Sequence, residues 1–274
     1  MFHYEFMILA FVAAGVLAIA FPLVGSPAVH KRLSASGDAL AHSSLAGIAI
    51  GLAAGANPLY ISIIACVVSF LIIGFLRRKF GKYAEIGVTV VLSAAIAIAG
   101  ILSGYTQGAS LESYLFGSIL LITYTELGIV CIIAGISVLF FALTYNRLFH
   151  SLYSEEEASI AKIRVYWLDI IHSLLFSLVV AVGAKIVGSL VVSSMLVLPT
   201  AAALLWRKGY RDTTLISLFY SLASMLGGIT VSYYTDWKPG ATCVGLMVAL
   251  LLITLLIRGI IVMASRQVRK KSLT

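Results

Sequence analysis

A series of apolar runs, each about 20 residues long, constrains the fold of this chain more than any other feature of its sequence. A helix of about 20 residues rises about 1.5 Å per residue and crosses a hydrocarbon core of about 30 Å. A lone segment in lipid has to satisfy its own backbone hydrogen bonds, so these runs must be helical. Only 11% of the 274 residues are charged, whereas a soluble domain has about 25%. The sequence therefore predicts an all-α polytopic membrane protein.

Nine apolar runs can be marked along the chain, and they predict eight or nine transmembrane helices. The apolar piece at 115–123 is too short to span and is expected to dip into the membrane or lie at its surface. Only Gly183, Ala184 and Lys185 are available for a turn before the seventh run, so that run is expected to be partly a half-helix. The runs are 6–26, 38–55, 58–76, 84–103, 124–145, 165–183, 186–206, 213–233 and 241–263.

The positive charges alternate with the runs. The net charge is +8, and sixteen of the nineteen Lys and Arg residues fall in five short stretches. Cytoplasmic segments of membrane proteins are enriched in Lys and Arg, so the charge indicates topology rather than a nucleic-acid partner. We expect an outside N-terminus, a cytoplasmic C-terminus and a single transmembrane permease domain over 1–274. Its predicted cytoplasmic segments are the loops 77–83, 146–164 and 207–212 and the tail 264–274, with an amphipathic helix at 155–163.

An acidic side chain and an imidazole stand at the start of the second run, in the stretch GDALAHSSLAG. Asp38 and His42 are spaced i, i+4, so on a helix they lie on one face with Cβ atoms about 6 Å apart. A carboxylate oxygen and an imidazole nitrogen at this reach can share one divalent cation. An ionisable pair inside a membrane is costly, which favours a functional role. The alternative is that Asp38 caps the helix and satisfies His42.

Two other features of the runs carry polar or bending residues. Asp169 and His172 form an i, i+3 pair near a helix N-terminus, for which a satisfied interfacial pair is the preferred interpretation. Small residues and Pro199 in the segment 185–212 predict close helix packing and a bend near the cytoplasmic surface. The bend makes a cytoplasmic elbow at 198–211, a suitable docking surface for a soluble partner.

The sequence lacks the motifs of ATPases and of intramembrane proteases. It has no G-x-x-x-x-G-K-S/T loop, so the chain itself is not expected to hydrolyse ATP. Neither H-E-x-x-H nor G-x-S-x-G occurs, which argues against an intramembrane protease. The three cysteines lie inside apolar runs and are interpreted as small buried hydrophobic residues. The chain is therefore predicted to be a transport subunit with no permanently bound cofactor.

Three stretches, GDALAHSSLAGIAIG, ESYLFGSIL and KIVGSLVVSSMLVLPTAAALL, resemble in this order the permease subunit of bacterial ABC importers for zinc and manganese. The resemblance covers residues 6 to 263. A more distant resemblance links the chain to the permeases for cobalamin and iron siderophores, in which elements like EEEASIAKIR, VAVGAKIVG and LVLPTAAALLWRKGYRD follow the same order. The resemblance implies a protein of the bacterial cytoplasmic membrane that imports a divalent transition metal by alternating access.

The resemblance also implies partners and site residues. It implies a homodimer that is driven by a cytoplasmic ATP-binding subunit and supplied by an extracytoplasmic metal-binding protein. It implies that Asp38 and His42 line the metal route, and we infer that two protomers could pool up to four ligands. Supporting roles are expected for Ser43, Ser44, Asp169 and His172. Contacts with the ATP-binding subunit are expected at Leu198, Pro199, Thr200, Trp206, Arg207 and Lys208.

The identity of the metal rests on finer details of the motifs. Manganese members of the family tend to have A-V-L-P-G after the histidine and T-P in the later motif, whereas this chain has SSLAG after His42 and Leu198-Pro199. Both features resemble the zinc branch, so zinc is the expected ion. Manganese or iron is the alternative, because Asp and His ligands suit zinc and are acceptable to both. A proton- or sodium-coupled carrier, which needs no ATP-binding subunit, is a further alternative.

Overall fold

The structure is a computed structural model, and the residues that it describes are 5–31, 33–105, 111–117, 119, 122–153 and 165–271. These ranges contain ten α-helices, with the short 3-10 turns Gly81–Tyr83 and Ser103–Tyr105 at the two ends of the fourth. The helices are α1 Glu5–His30, α2 Ser34–Ala53, α3 Pro58–Phe80, α4 Ala84–Leu102, α5 Leu111–Phe116, α6 Tyr124–Tyr153, α7 Val165–Ile186, α8 Ser189–Leu204, α9 Tyr210–Thr235 and α10 Pro239–Lys271.

The helices follow the apolar runs in order but extend beyond several of them. α3 continues into the predicted loop 77–83 as far as Phe80, α6 continues to Tyr153 and α10 to Lys271. The helical backbone therefore enters three of the segments predicted to be cytoplasmic, and their cytoplasmic location stays a prediction. A helical backbone does not have to end where the apolar residues end, and basic side chains in a last turn interact favourably with the helix dipole. The amphipathic helix predicted at 155–163 lies outside the described residues.

The turn between α7 and α8 lies later than the sequence predicted. α7 continues through Lys185 to Ile186, and Val187 and Gly188 make the turn. Gly188 has φ +107, which glycine adopts without the strain that a Cβ would cause. α8 has 16 residues, so it is about 24 Å long. It is shorter than a full span, as expected for this run.

Six stretches among the described residues are long and apolar enough to cross a membrane. One of them, Pro58–Tyr105, contains both α3 and α4, which pack against each other around Gly87. α2 is not among the six because Asp38, His42 and several Ser and Gly residues dilute its apolar character, and α8 is too short. The chain is an all-helical membrane protein, and the number of eight or nine spans stays a prediction.

α1 and α7 form the centre of the bundle. In each of them 61% of the most apolar window is buried, against 17% in α6 and 11% in α10. α1 and α8 approach so closely that a Cβ on Gly25 would lie 2.2 Å from the carbonyl oxygen of Leu196. Large apolar side chains of α3, α4, α6 and α10 are exposed on the outside of the bundle, where we expect the acyl chains of the lipid.

Three chain segments meet through their backbones at the end of the bundle that contains the α7–α8 turn. A Cβ on Gly117 would lie 1.9 Å from the Val187 carbonyl oxygen, and one on Gly188 would lie 2.4 Å from the Gly117 nitrogen. A Cβ on Gly240, at the start of α10, would lie 2.1 Å from the Phe116 carbonyl oxygen. No side chain fits at such distances, so this glycine contact requires all three glycines. It gives a physical reason for the single glycines in ESYLFGSIL and KIVGSLVV.

Candidate functional site

Asp38 and His42 lie inside a regular helix. α2 begins at Ser34, and its N-cap residue Leu33 makes no side-chain hydrogen bond to the helix. Asp38 is therefore in the second turn, and the alternative in which Asp38 caps the helix is wrong. At about 1.5 Å per residue, Asp38 lies about 6 Å and His42 about 12 Å from the start of α2.

The Asp38 and His42 side chains are both half-buried. Within the described ranges, neither makes a hydrogen bond or an ion pair with another protein group. A partly desolvated carboxylate and imidazole without partners are suited to bind a cation. Two donors are fewer than the four that Zn²⁺ usually takes. No group of three or more His, Cys, Asp and Glu residues in the described chain is placed to hold a metal.

The opposite face of α2 is fixed on α3. A Cβ on Gly47 would lie 2.6 Å from the Ser62 Cα, and one on Gly51 would lie 2.9 Å from the Pro58 Cα, so the two backbones touch. At about 100° per residue, Gly47 lies about 180° around the helix from Asp38. The close approach to α3 therefore directs Asp38 and its neighbour His42 away from α3.

Packed helices bound the pair at both ends along α2. Directly before Asp38, a Cβ on Gly37 would lie 3.2 Å from the Phe176 ring of α7 and 3.4 Å from the Leu196 side chain of α8. One turn beyond His42, α2 packs against α4 and α5. The apolar cluster at this contact consists of Leu45, Ala46, Ala95, Ala99, Tyr114 and Leu115.

The two serines that follow His42 donate to backbone carbonyls. Ser43 Oγ donates to the Ala39 carbonyl oxygen at 2.8 Å within α2. Ser44 Oγ donates to the Ala181 carbonyl oxygen of α7 at 3.3 Å. Ser44 thus ties α2 to α7, and within the described chain neither hydroxyl bonds to Asp38 or His42.

The second predicted pair, Asp169 and His172, is directed towards α1. Asp169 forms an ion pair with Lys31, which lies in the connection between α1 and α2. His172 is buried, and its Nε2 donates to the Val24 carbonyl oxygen at 3.1 Å. Both residues therefore have protein partners, and their contacts join α7 to α1 and to the connection that follows α1. Asp38 and His42 on α2 have no such partners among the described residues.

The predicted elbow consists of the end of α8, the connection 205–209 and the first residues of α9. Leu198, Pro199 and Thr200 lie within α8, and the latter two are buried. Trp206 is half-buried, while Arg207 and Lys208 are exposed. Of the six elbow residues expected to contact an ATP-binding subunit, Arg207 and Lys208 are therefore the two that are freely accessible in the single chain.

An ion pair at the other end of the bundle was not expected from the sequence. Lys185, at the end of α7, pairs with Glu126 in the first turn of α6, and both side chains are largely shielded from solvent. Glu126 Oε2 also accepts from the Thr123 N–H at 3.0 Å, and the Glu126 N–H donates to Thr123 Oγ1 at 3.4 Å. The T-x-x-E spacing of this capping box was visible in the sequence, but the lysine partner was not.

Comparison with protein families matches residues 3–258 to the ABC 3 transport family. The chain is 36% identical to the "Probable metal transport system membrane protein" of Treponema pallidum (strain Nichols), over 93% of this chain and 97% of the relative. It is 25% identical to the "High-affinity zinc uptake system membrane protein ZnuB" of Buchnera aphidicola subsp. Acyrthosiphon pisum (strain APS), over 86% and 92%. It is 26% identical to the "Manganese transport system membrane protein MntC" of Listeria monocytogenes serovar 1/2a, over 88% and 87%.

A solved structure shares the fold. PsaBC from Streptococcus pneumoniae in complex with Fab contains a chain that matches with a TM-score of 0.82 and 22% sequence identity, over 92% of this chain and 91% of that one. At this identity the likeness establishes the architecture alone. The names of the sequence relatives include both zinc and manganese, so they do not decide between the two metals.

Proposed function

Because the chain belongs to the ABC 3 transport family, we propose that it is the membrane-spanning permease of an ATP-driven importer for a divalent transition metal, with Zn²⁺ as the expected ion. Its relatives are membrane proteins of metal transport systems. The observation that carries the proposal for this chain is the Asp38–His42 pair on α2. The two side chains are half-buried on one helix face, and neither has a protein partner among the described residues.

Asp38 and His42 supply a carboxylate oxygen and an imidazole nitrogen to a transient metal site in this proposal. In a homodimer, two copies of the pair provide up to four donors, the number that Zn²⁺ usually takes. A site with few ligands and no thiolate holds the ion loosely enough to release it, as a transport site must. Ser43 and Ser44 keep α2 in place through their backbone hydrogen bonds, and Asp169 and His172 do the same for α1 and α7.

The preference for Zn²⁺ over Mn²⁺ rests on the SSLAG and Leu198-Pro199 segments that resemble the zinc branch. Ligand chemistry agrees with this preference without requiring it, since a mixed oxygen and nitrogen donor set accepts zinc, manganese and iron. Competition between Zn²⁺ and Mn²⁺ for binding to the complete transporter tests the assignment. A lower dissociation constant for Mn²⁺ would make manganese the transported ion.

Three partners belong to the proposed transporter besides the membrane lipid. A second copy of the chain completes the metal route. A cytoplasmic ATP-binding subunit contacts the elbow, where Arg207 and Lys208 are exposed, and an extracytoplasmic metal-binding protein delivers the ion to the opposite face. This arrangement needs a bacterial cytoplasmic membrane with the elbow inside, an outside N-terminus and a cytoplasmic C-terminus, as the basic segments predict.

The test is Zn²⁺ uptake into proteoliposomes that contain the complete transporter with its ATP-binding and metal-binding proteins. We expect Asp38→Ala and His42→Ala each to lower the ATP-dependent uptake rate by at least about tenfold, since even residues that only orient metal ligands cost about 10- to 100-fold. Glu85→Ala and His150→Ala are matched controls, because these two side chains are exposed and lie outside the site. Both controls should transport like the wild type.

Two results would contradict the proposal in different ways. Uptake at the wild-type rate by both α2 variants would remove the site assignment while leaving the transporter class intact. Metal uptake by the permease alone, without the ATP-binding subunit, would instead identify an ion-coupled carrier.

A further inference from the structure

An arginine of the last helix contacts the elbow directly. Arg258 is the one charged residue in the apolar stretch 239–263. Its Nε donates to the carbonyl oxygen of Leu205 at 2.7 Å. Leu205 is the C-cap of α8, where carbonyl groups lack helical partners and a positive charge is favourable. The guanidinium also lies over the indole of Trp206, 5.8 Å from the ring centre.

A second contact joins the same two elements one helical turn away. Trp206 Nε1 donates to the Tyr220 hydroxyl at 3.2 Å, and this hydroxyl bonds with Thr254 Oγ1 at 2.6 Å. Thr254 precedes Arg258 by four residues, so both side chains lie on the same face of α10. The connection between α8 and α9 is therefore held by α10 at two positions.

Arg258 has no carboxylate partner among the residues that the structure describes. A charged side chain within an apolar membrane stretch is costly and usually marks a functional position. Here the positive charge interacts with the Leu205 carbonyl group at the end of α8 and with the face of the Trp206 ring, and both residues belong to the elbow. The direct contacts of Arg258 therefore hold the elbow in place relative to α10.

α8 and α10 are joined at their other ends as well. Gly240, at the start of α10, lies against the carbonyl oxygens of Phe116 and Val187 in the glycine contact. The two helices thus form a closed frame, linked at one end by the glycine contact and at the other by Arg258 and Leu205. A displacement of the elbow moves α8 directly, and it reaches α10 through the Arg258 and Thr254 contacts.

We infer that Arg258 is a positioning residue that couples the elbow to α10, so that a movement imposed on the elbow by the ATP-binding subunit is passed to both sides of the frame. The inference rests on the proposed function, because it presupposes that ATP hydrolysis acts on the elbow. Without Arg258 the elbow still binds the ATP-binding subunit through its exposed surface, but less of the movement reaches α10, because the Thr254 contact alone remains. ATP hydrolysis then continues while less metal is transported for each ATP.

The experiment measures Zn²⁺ and Mn²⁺ uptake and ATP hydrolysis on the same proteoliposomes with the complete transporter. We expect Arg258→Met to lower the number of ions imported per ATP by about fivefold, within the range by which mutations in coupled networks act. Methionine has a similar length and no charge, so the variant is expected to insert and fold. Arg258→Lys keeps the charge but loses the planar stacking group, and it should restore part of the ratio. Leu256→Met, on a lipid-exposed position of the same helix, is the matched control.

The ratio of ions to ATP separates coupling from stability. If Arg258 only stabilised the fold, uptake and hydrolysis would fall together and the ratio would stay at the wild-type value, which would overturn the inference. Should Arg258→Met fail to assemble, an unchanged ratio in Arg258→Lys and in Tyr220→Phe would overturn it equally. A wild-type complex without ATP-dependent metal uptake would contradict the proposed function itself rather than the role of Arg258.

Discussion

Arg207 has a backbone conformation that its residue type disfavours. Its φ of 51° lies in the left-handed region, which costs a residue with a Cβ about 1 to 2 kcal/mol. In the same turn, the Arg207 N–H donates to the Leu204 carbonyl oxygen at 3.0 Å, and the Trp206 N–H donates to that of Ala203 at 3.1 Å. These bonds satisfy carbonyl groups at the end of α8, where glycine is the usual residue. An arginine at position 207 therefore makes the fold less stable than a glycine would, because of its left-handed backbone.

A comparison of glycine and alanine at position 207 tests this backbone. We expect Arg207→Gly to be more stable than Arg207→Ala by about 1 kcal/mol, because both lose the side chain and only glycine avoids the Cβ clash. Thermal unfolding of the purified complex in detergent measures the difference. At the exposed helical position Leu215 in α9, the order should reverse, with glycine less stable by about 1 kcal/mol. A more stable alanine at 207 would contradict the left-handed conformation.

At the scale of residues, the sequence predicts what depends on spacing and misses what depends on tertiary contact. Asp38 and His42 share a face because they are four residues apart, and this needs no knowledge of the fold. Lys31 and Asp169 are 138 residues apart. Arg258 is separated from its carbonyl partner by 53 residues. No local pattern connects such residues, so the partners of the second pair and of Arg258 could not be predicted.

At the scale of elements, the existence of the helices was predictable and their ends were not. The apolar runs predict that the helices exist, because a segment in lipid must be helical to satisfy its own backbone. The ends depend on tertiary contacts instead, as the turn at Val187 and Gly188 shows: the sequence placed this turn at Gly183–Lys185. The glycine contact explains the difference, because Gly188 is the residue that Gly117 approaches. A contact between distant segments thus selects where the chain turns.

Gly188→Ala tests the glycine contact. The substitution combines an unfavourable positive φ, at about 1 to 3 kcal/mol, with overpacking against the Gly117 backbone, at about 1 to 3 kcal/mol. We expect a loss of about 3 kcal/mol or more in the free energy of unfolding, measured on the purified protein in detergent. Gly100→Ala in α4 is the control, because a Cβ there meets no atom within 4 Å. That variant should be unchanged or more stable by up to about 1 kcal/mol, and equal effects at the two positions would contradict the close approach.

At the scale of the whole molecule, the basic segments lie together at one end of the helix bundle. The buried Tyr210 ring at the start of α9 contacts His30 at the end of α1 and Tyr145 and Phe149 near the end of α6, with ring centres 5.2 to 6.1 Å apart. The Arg258–Leu205 contact adds α10 and the end of α8. The glycine contact lies at the opposite end of α8. This grouping agrees with the positive-inside rule, while the orientation in the membrane stays a prediction from the charges.

Cysteine labelling tests the orientation. In a background with Cys131 replaced by alanine, a membrane-impermeant maleimide added to intact cells should label Gly104→Cys and spare Lys208→Cys. Both positions are exposed, and Cys66 and Cys243 are buried. Permeabilised cells should show labelling of both variants. The reverse pattern in intact cells would place the elbow outside and exclude contact with a cytoplasmic ATP-binding subunit.

At Gly47 and Gly51, α2 and α3 touch through main-chain atoms, so no change of rotamer lets one helix slide along the other. α3 in turn is joined to α4 by a turn of three residues. We expect these three helices to move as one rigid body that carries the Asp38 carboxylate and the His42 imidazole with it. We therefore expect the proposed metal route to widen when this body tilts along the contact of Gly37 with Phe176 and Leu196, rather than when side chains around the ion rearrange.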